Sequence, residues 1–504
     1  MSGLKKAAIW MTLLAIVVKL SGFLRESIIA RQFGANEYTD GYLLAFSFIT
    51  LVIAMISGGF NNVFLPLYVK HWKHQPNRTD QNANGIMNGT FLLFLVVTIV
   101  GYFFVPDFVP FIYGAMSPET EKVAVEITQF FFLFLAVIAL NGILDSYLQA
   151  KRIFVPSQIA KLLATLMGVV FALLFSEQWG INSLAYGFIV GTLLGVGLQL
   201  YYLKGSEFHW KPTLKVEKEF RSAFLVLLVP FLLNSVVGQV NMFVNKMFAS
   251  GTIEGAVTYL NNASLLVSVP HSIYGTTIAV IIFTLLSEQI EERKKFQQTF
   301  FIGMQVSFTT LMPIAIGLAL VGDAAIAFIY EGGAFTENDT MQTYKALLYY
   351  LPMIVTQGLQ YIVSKSMYAR GKTSIVFRIS VTTILLNVFL NWLFVEPFGF
   401  AGLALTSSFV SVYYLGITIL FVYKDFDRGE FMKLFTLFVR VLIPTLVMAV
   451  PLWLLKEFTP VSELPAIVEL MVLVPLGALL YAVGLFVFYR QAFYQLLRVV
   501  KKKN

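Results

Sequence analysis

Residues 89–106 read GTFLLFLVVTIVGYFFVP, eighteen consecutive positions without a charged side chain. As a helix that rises about 1.5 Å per residue, such a run can cross a hydrocarbon core of about 30 Å. Comparable apolar runs recur along the chain and occupy residues 8–30, 41–68, 89–112, 124–150, 157–176, 181–203, 222–248, 256–287, 299–321, 342–368, 374–395, 400–423, 433–455 and 467–489. The pattern predicts an all-α polytopic membrane protein with about fourteen transmembrane helices.

The composition of the 504-residue chain agrees with lipid as its solvent. Hydrophobic residues make up 58% of the chain and charged residues 13%, whereas soluble domains average about 50% and about 25%. Lys19 and Arg25 interrupt the first apolar run, and no small-residue cleavage site follows it. We therefore interpret this run as a first helix and not as a cleaved signal peptide.

The sequence contains no constellation typical of an enzyme or a metal protein. Cysteine is absent, and His71 and His74 have no third metal ligand nearby. A Gly-rich phosphate loop that ends in Lys-Ser or Lys-Thr is also missing. We therefore expect a protein that is not an enzyme and has no cofactor. Its energy would come from a Na⁺ or H⁺ gradient, the membrane potential or the gradient of its substrate.

Lysine and arginine are distributed unequally between the two sides of the predicted topology. With the N-terminus inside, 26 of the 36 basic residues fall on the inner side and three on the outer side, namely Arg31, Lys122 and Lys456. Because cytoplasmic loops hold an excess of basic residues, we expect both termini in the cytoplasm. The same bias explains the net charge of +8 without nucleic acid. The basic tail, Lys501–Lys503, suits anionic membrane lipids.

The sequence resembles itself at an offset of about 219 residues. Residues 148–151 (LQAK) align with 367–370 (MYAR), and residues 179–185 (WGINSLA) align with 398–404 (FGFAGLA) without a gap. We interpret the chain as an N-lobe of six helices (1–221), a C-lobe of six helices (222–432), and two accessory helices with the basic tail (433–504). Six spans are an even number, so the two lobes form a parallel repeat. Transporters with such repeats place the substrate path between the lobes. Chance similarity between leucine-rich helices is the alternative.

Charged residues in the first two spans are the main candidates for substrate binding. Lys19, Arg25 and Glu26 lie in the first span, and Asp40 lies at the outer end of the second. Charges inside a membrane are costly, so they usually face a cavity or a partner. Arg25 could grip a phosphate oxygen with its planar guanidinium. Alternatively, Arg25 only forms a local ion pair with Glu26 or Asp40 that locks the two helices together.

Amides in the second half of the chain form a weaker candidate site. Asn387 and Asn391 are four positions apart in the eleventh span and share a helix face. Thr406 lies in the twelfth span and Asn245 in the seventh. Their oxygens could coordinate a hard cation such as Na⁺. Alternatively, these side chains only form hydrogen bonds between helices.

Several short segments carry a family resemblance. They are residues 21–26 (SGFLRE), 29–35 (IARQFGA) and 39–40 (TD) near the N-terminus, and residues 331–340 (EGGAFTENDT) and 367–373 (MYARGKT) in the second half. These segments resemble those of the MurJ (MviN) lipid II flippases, which belong to the multidrug/oligosaccharidyl-lipid/polysaccharide exporter superfamily. The resemblance covers the first twelve spans. It also implies the arrangement of six, six and two helices.

The resemblance implies a function in bacterial cell wall biogenesis and cell shape. It implies that lipid II, the undecaprenyl-pyrophosphate-linked peptidoglycan precursor, is moved from the inner to the outer leaflet of the plasma membrane by alternating access. It would make Arg25 a substrate contact, with Glu26 and Asp40 as charged partners. Lys19 stands where the family commonly has arginine.

Three positions depart from the pattern of the family. Residues 51–55 (LVIAM) lack its basic residue, Ser264 and Leu265 stand where it has an arginine, and Asn245 replaces an acidic residue. These changes lower the charge expected along the substrate path. Alternatives therefore stay open. The chain is a flippase for a teichoic, capsular or exopolysaccharide intermediate, or it is a non-transporting scaffold among wall-synthesis enzymes. A drug/cation antiporter of the same fold is a third alternative, although the sequence shows no acidic cluster for a cationic drug.

Overall fold

The regular structure of the described residues is helical. The computed structural model describes residues 2–205 and 210–494, so the Lys501–Lys503 tail lies outside the described residues. The α-helices are α1 (Ser2–Phe33), α2 (Glu37–Gly59), α3 (Leu65–Trp72), α4 (Pro76–Tyr113), α5 (Pro118–Leu133), α6 (Leu135–Ala150), α7 (Val155–Trp179), α8 (Asn182–Lys204), α9 (Lys218–Ser250), α10 (Ala256–Glu288), α11 (Arg293–Tyr330), α12 (Glu337–Ala369), α13 (Thr373–Phe398), α14 (Ala401–Tyr423), α15 (Glu430–Phe458) and α16 (Ala466–Phe488). A π-helical turn, Phe60–Phe64, joins α2 to α3.

The helices confirm the predicted class of polytopic membrane protein. Each of the fourteen apolar segments coincides with one helix or with two consecutive helices. Within the described residues, ten helices are long and apolar enough to cross a membrane, or eleven if the bent pair α5 and α6 forms one span. A helix forms hydrogen bonds between its own backbone N–H and C=O groups, for which the hydrocarbon of a membrane offers no partners. The count of fourteen spans stays a prediction.

Two of the predicted spans contain a local break. Pro66 has no N–H to donate to the carbonyl of Asn62, and the π-helical turn precedes it. The second break is at Phe134, where α5 and α6 meet at an angle of 58°. Its backbone leaves the helical region, with φ −106° and ψ 11°.

The chain divides into two compact units. The first contains residues 1–258 and 333–335, and the second contains residues 259–332 and 336–504. Helix α9 and the first turn of α10 therefore pack with the first unit, although the repeat assigns them to the C-lobe. A repeat boundary describes sequence similarity, whereas a compact unit reflects packing. The lobe boundaries at 221 and 432 stay predictions.

The offset of 219 residues recurs in the backbone conformation. Left-handed backbone occurs at Gly114, Arg152 and Gly180, and again 219 positions later at Gly333, Gly371 and Gly399. The ends of α6 and α12 also share a hydrogen bond. Ile153 N–H donates to the Leu148 carbonyl at 2.8 Å, and 219 positions later Lys372 N–H donates to the Met367 carbonyl at 2.9 Å. Both helices thus end with the six-to-one bond of a Schellman motif.

Asparagine side chains on α4 form hydrogen bonds with the segment that precedes α9. Asn82 accepts a hydrogen bond from Glu217 N–H at 2.8 Å, and Asn88 donates to the Thr213 carbonyl at 2.9 Å. The segment 210–217 has no regular secondary structure, so its backbone groups need partners outside the segment. The asparagine side chains of α4 provide several of these partners.

Candidate functional site

Arg25 lies on α1 between a carboxylate and an aromatic ring. Its guanidinium forms an ion pair with Glu26, in which Nε donates to Oε1 at 3.1 Å. The guanidinium carbon also lies 4.4 Å from the centre of the Phe46 ring on α2. The Arg25 side chain is 18% exposed, and that of Glu26 is 5% exposed. Arg25 is therefore held in place but still reachable from outside the protein.

An aromatic cluster supports the ring on which Arg25 rests. Phe46 stacks on Tyr42 with ring centres 5.6 Å apart, and it meets the edge of Phe188 at 5.5 Å. Phe131 lies 6.3 Å from Phe46. A cation over an aromatic face is attracted by the negative charge of the ring face. The cluster thus fixes the position of the Arg25 cation.

Lys246 on α9 is a second cation that contacts α2. Its ammonium group donates to the Leu43 carbonyl at 3.2 Å and to the hydroxyl of Ser47. Residues 42–47 of α2 therefore present an aromatic face to Arg25 and oxygen acceptors to Lys246. Arg25, which is paired with Glu26, and Lys246 thus both contact residues 43–47 of α2. This arrangement suits an anionic group such as a phosphate.

Asp40 caps the start of α10. Its carboxylate accepts hydrogen bonds from the Thr258 N–H at 2.9 Å and hydroxyl at 2.6 Å, and from Val257 N–H at 3.4 Å. Only 4% of Asp40 is exposed. A carboxylate at a helix N-terminus satisfies free N–H groups and complements the helix dipole. Asp40 therefore holds α2 to α10 within the first unit, and its predicted substrate contact stays a prediction.

Lys19 lies on the exposed surface of α1. It precedes Arg25 by six residues, which is slightly less than two helical turns. Glu26, which follows Lys19 by seven residues on the same helix, is buried. The structure thus brings Arg25 and Glu26 together, and the role of Lys19 in substrate binding stays a prediction.

The predicted cation site falls on different helices. Asn387 and Asn391 are buried on α13, and the Asn391 amide donates to the Asn387 oxygen at 3.2 Å. Thr406 is buried on α14, which follows α13 directly. Asn245 lies on α9 in the first unit, whereas the other three residues lie in the second. Binding of a cation to these residues stays a prediction.

Sequence reasoning did not assign a role to the partners of the buried charges. Tyr42 and Phe46 are four positions apart on α2, which is the spacing of one helix face, and this signal was available. Lys246 falls within the apolar run 222–248, and the sequence does not indicate which groups it contacts. Lys456, one of the three basic residues on the predicted outer side, lies in α15 and is hydrogen-bonded to Asp323 at 2.6 Å. Such pairings depend on packing and leave no local sequence signal.

Comparison with known proteins decides the family. A family model described as "Lipid II flippase MurJ" matches residues 29–470, which is most of the chain.

The chain belongs to the lipid II flippase MurJ family.

Relatives support this membership over nearly the full length. The lipid II flippase MurJ of Thermosipho africanus is 25% identical over 492 residues, covering 96% of each chain. The probable lipid II flippase MurJ of Buchnera aphidicola subsp. Schizaphis graminum is 23% identical over 499 residues, covering 95% of this chain and 96% of its own. MurJ is a family of flippases and not of catalytic enzymes. Membership and the apolar helices together make this chain a multi-pass membrane protein.

Solved structures show the same fold. A lipid II flippase MurJ in an inward closed conformation matches with a TM-score of 0.80 at 24% identity, covering 96% of this chain and 99% of its own. An inward-facing MATE-family multidrug resistance transporter of the MOP superfamily matches with a TM-score of 0.68 at 14% identity, covering 84% of this chain and 98% of its own. The fold of this chain is therefore similar to the folds of both transporters.

Proposed function

We propose that this chain is a lipid II flippase that works by alternating access. It moves the undecaprenyl-pyrophosphate-linked peptidoglycan precursor from the inner to the outer leaflet of the bacterial plasma membrane, with both its termini in the cytoplasm. Membership of the MurJ family over residues 29–470 supports the substrate. The excess of basic residues on the predicted inner side supports the orientation.

The position of Arg25 is the observation that carries the proposal. Its bonds to Glu26 use Nε and one terminal nitrogen, and within the described residues its other N–H groups make no further hydrogen bond. A guanidinium can bind two oxygens of a phosphate side by side with these groups. The pyrophosphate is the anionic part of the substrate that such a guanidinium would bind. Phe46 keeps the guanidinium in place while the phosphate binds or leaves.

Lys246 supplies a second, weaker contact in this proposal. Its present acceptors are a backbone carbonyl and the Ser47 hydroxyl, both neutral groups. An anionic phosphate oxygen is a stronger acceptor than either, so the substrate can replace them. When the pyrophosphate leaves water, the positive charges of Arg25 and Lys246 compensate its negative charge. Glu26 keeps Arg25 paired when no substrate is bound.

We propose the membrane potential as the driving force. With the inside negative, each negative charge that moves outward through 100 mV releases about 2.3 kcal/mol. The pyrophosphate carries the charge of the substrate, so the potential favours its outward movement. A Na⁺ or H⁺ gradient is a second source, and the buried amides Asn387 and Asn391 are where a cation would act.

Complementation of a strain depleted of its own lipid II flippase tests the proposal. We expect the wild-type chain to restore growth and Arg25→Ala to fail at equal membrane abundance. Arg25→Lys should restore part of the growth, because it keeps the charge but loses the planar fork. Arg378→Ala, the same change at an exposed arginine on α13, is the matched control and should restore growth. Full growth with Arg25→Ala would remove the role assigned to Arg25.

A further inference from the structure

We propose that a crevice in the first unit binds one phospholipid with an anionic headgroup. The crevice has a volume of about 420 Å³ and lies between α4, α6, α8 and Trp210. That size falls within the range of about 300–1,000 Å³ that is usual for small-molecule sites. The crevice is separate from Arg25 and Lys246, and the inference does not depend on lipid II transport.

The walls of the crevice suit an acyl chain. Met87 on α4, Leu144 on α6 and Leu203 on α8 form buried parts of its lining. Phe91 and Leu140 extend this apolar lining. An acyl chain placed there would be in contact with hydrocarbon on several sides. Burial of apolar surface is the main favourable contribution to such binding.

The rim of the crevice suits a phosphate headgroup. Lys204 ends α8 and is exposed, and Trp210 is 61% exposed. The Trp210 indole N–H donates to the Asn88 side-chain oxygen at 3.0 Å, which fixes the ring at the rim. Tryptophan is enriched where membranes meet water, and lysine near that boundary attracts anionic headgroups. Lys211, next to Trp210, adds a second exposed positive charge.

The surroundings of the crevice favour a lipid as its occupant. Leu92 and Leu93 on α4 and Leu200 and Tyr201 on α8 are exposed large hydrophobic residues beside it. In a protein that spans the membrane, such helix faces are in contact with acyl chains. The apolar lining therefore continues into a lipid-facing surface and ends at a basic, tryptophan-bearing rim. This combination matches the two parts of an anionic phospholipid.

Native mass spectrometry of the full-length protein tests the proposal. The protein is titrated with phosphatidylglycerol or phosphatidylcholine, and retained lipids are counted. We expect one phosphatidylglycerol to be retained in preference to phosphatidylcholine. Leu200→Trp should fill the crevice and abolish this adduct. Leu194→Trp, an exposed position on the same helix outside the crevice, is the matched control and should keep it.

The headgroup contact is tested by a charge substitution. Lys204→Gln should reduce the preference for phosphatidylglycerol about fivefold, because one lysine near the surface contributes about that factor. Lys218→Gln, an exposed lysine outside the crevice, should leave it unchanged. This variant decides the question even if Leu200→Trp does not fold, because an unchanged preference in Lys204→Gln would overturn the headgroup contact.

Three further results would overturn the assignment. The first is equal retention of both phospholipids by the wild type, and the second is the same adduct in Leu200→Trp as in Leu194→Trp. The third is displacement of phosphatidylglycerol by undecaprenyl phosphate at a site that Leu200→Trp removes. That last result would assign the crevice to polyprenyl lipids instead.

Discussion

Arg152 has a backbone φ of 64°, and within the described residues it is the one non-glycine residue with positive φ. A side chain in this left-handed region costs about 1–2 kcal/mol through contact of Cβ with the backbone. The residue 219 positions later, Gly371, has φ 71° and does not have this cost. The two helix ends are otherwise alike, so they form a natural matched pair.

We therefore predict opposite effects of exchanging side chains at these two positions. Arg152→Gly should raise the thermal unfolding midpoint slightly, because relief of strain exceeds the added freedom of the unfolded chain. Gly371→Ala should lower the midpoint, because it introduces Cβ in the left-handed region. Thermal unfolding in detergent measures both. A change of the same sign in both variants would contradict the argument from strain.

Asp40 has a structural consequence at the same scale. Asp40→Ala leaves the Thr258 N–H and hydroxyl without their acceptor, which should cost about 1–3 kcal/mol in the free energy of unfolding. Asp40→Asn keeps one acceptor oxygen and should cost less. Hydrogen exchange at Val257 and Thr258 should accelerate in Asp40→Ala. Asp107→Ala, an exposed aspartate on α4, is the control. Unchanged exchange in Asp40→Ala would show that the cap does not stabilise α10.

At the scale of elements, Lys456 connects three helices of the second unit. On α15, its ammonium group donates to Asp323 on α11 at 2.6 Å and forms an ion pair with Glu469 on α16 at 3.0 Å. Leu452 and Leu473 lie in the apolar cluster that joins the same helices. Removal of the cation would leave two carboxylates close together in a largely buried place.

We predict that Lys456→Gln loosens the packing of α15 and α16. Hydrogen exchange in residues 466–488 should increase, and the unfolding midpoint should fall. Lys433→Gln, at an exposed lysine near the other end of α15, is the control and should have little effect. The double variant Lys456→Gln with Asp323→Asn should recover part of the loss, because it removes one unpaired charge. An equal loss in the single and double variants would contradict the assigned ion pairs.

The C-terminal ends of α6 and α12, which are 219 positions apart, have similar contacts. Lys151 lies 3.5 Å from the Trp72 ring centre and pairs with Asp80. Arg370, 219 positions later, lies 4.3 Å from the Phe296 ring centre and pairs with Asp425. Each basic residue thus contacts both a ring and a carboxylate. The repeat was visible in the sequence because these positions carry the same charge, but the partners do not occupy equivalent positions.

The Asp425 contact predicts a pH dependence. The hydrogen bond from Lys372 lowers the pKa of the Asp425 carboxyl below its ordinary value. A carboxyl with a lowered folded-state pKa contributes stability above its unfolded pKa of about 4, and this is lost as the pH falls through the lower folded-state pKa. Asp425→Asn should therefore lower the unfolding midpoint at pH 7, and the difference should shrink below about pH 4. A difference that stays constant down to pH 3 would contradict this.

At the scale of the whole molecule, the helices could be predicted from the sequence, and of the two breaks the one before α3 has a proline, Pro66. In lipid, each span must form its backbone hydrogen bonds internally, so an apolar run such as 89–112 predicts a helix. The bend at Phe134 has no proline or glycine at its position, so no residue there indicates it. Arg25 and Asp40 could be identified because charges in a membrane are costly. The Asp40 partners lie more than 200 positions away, so only the fold reveals them.

Transport of lipid II into the outer leaflet of liposomes tests the proposed function most directly. Purified full-length protein is reconstituted with fluorescent lipid II, and the labelled lipid that reaches the opposite leaflet is measured. We expect translocation by the wild type and by Arg378→Ala, and none by Arg25→Ala. Translocation by the wild type should increase with an imposed membrane potential that is negative on the donor side. A folded wild-type protein that moves no lipid II, or an Arg25→Ala variant that moves it equally fast, would contradict the account.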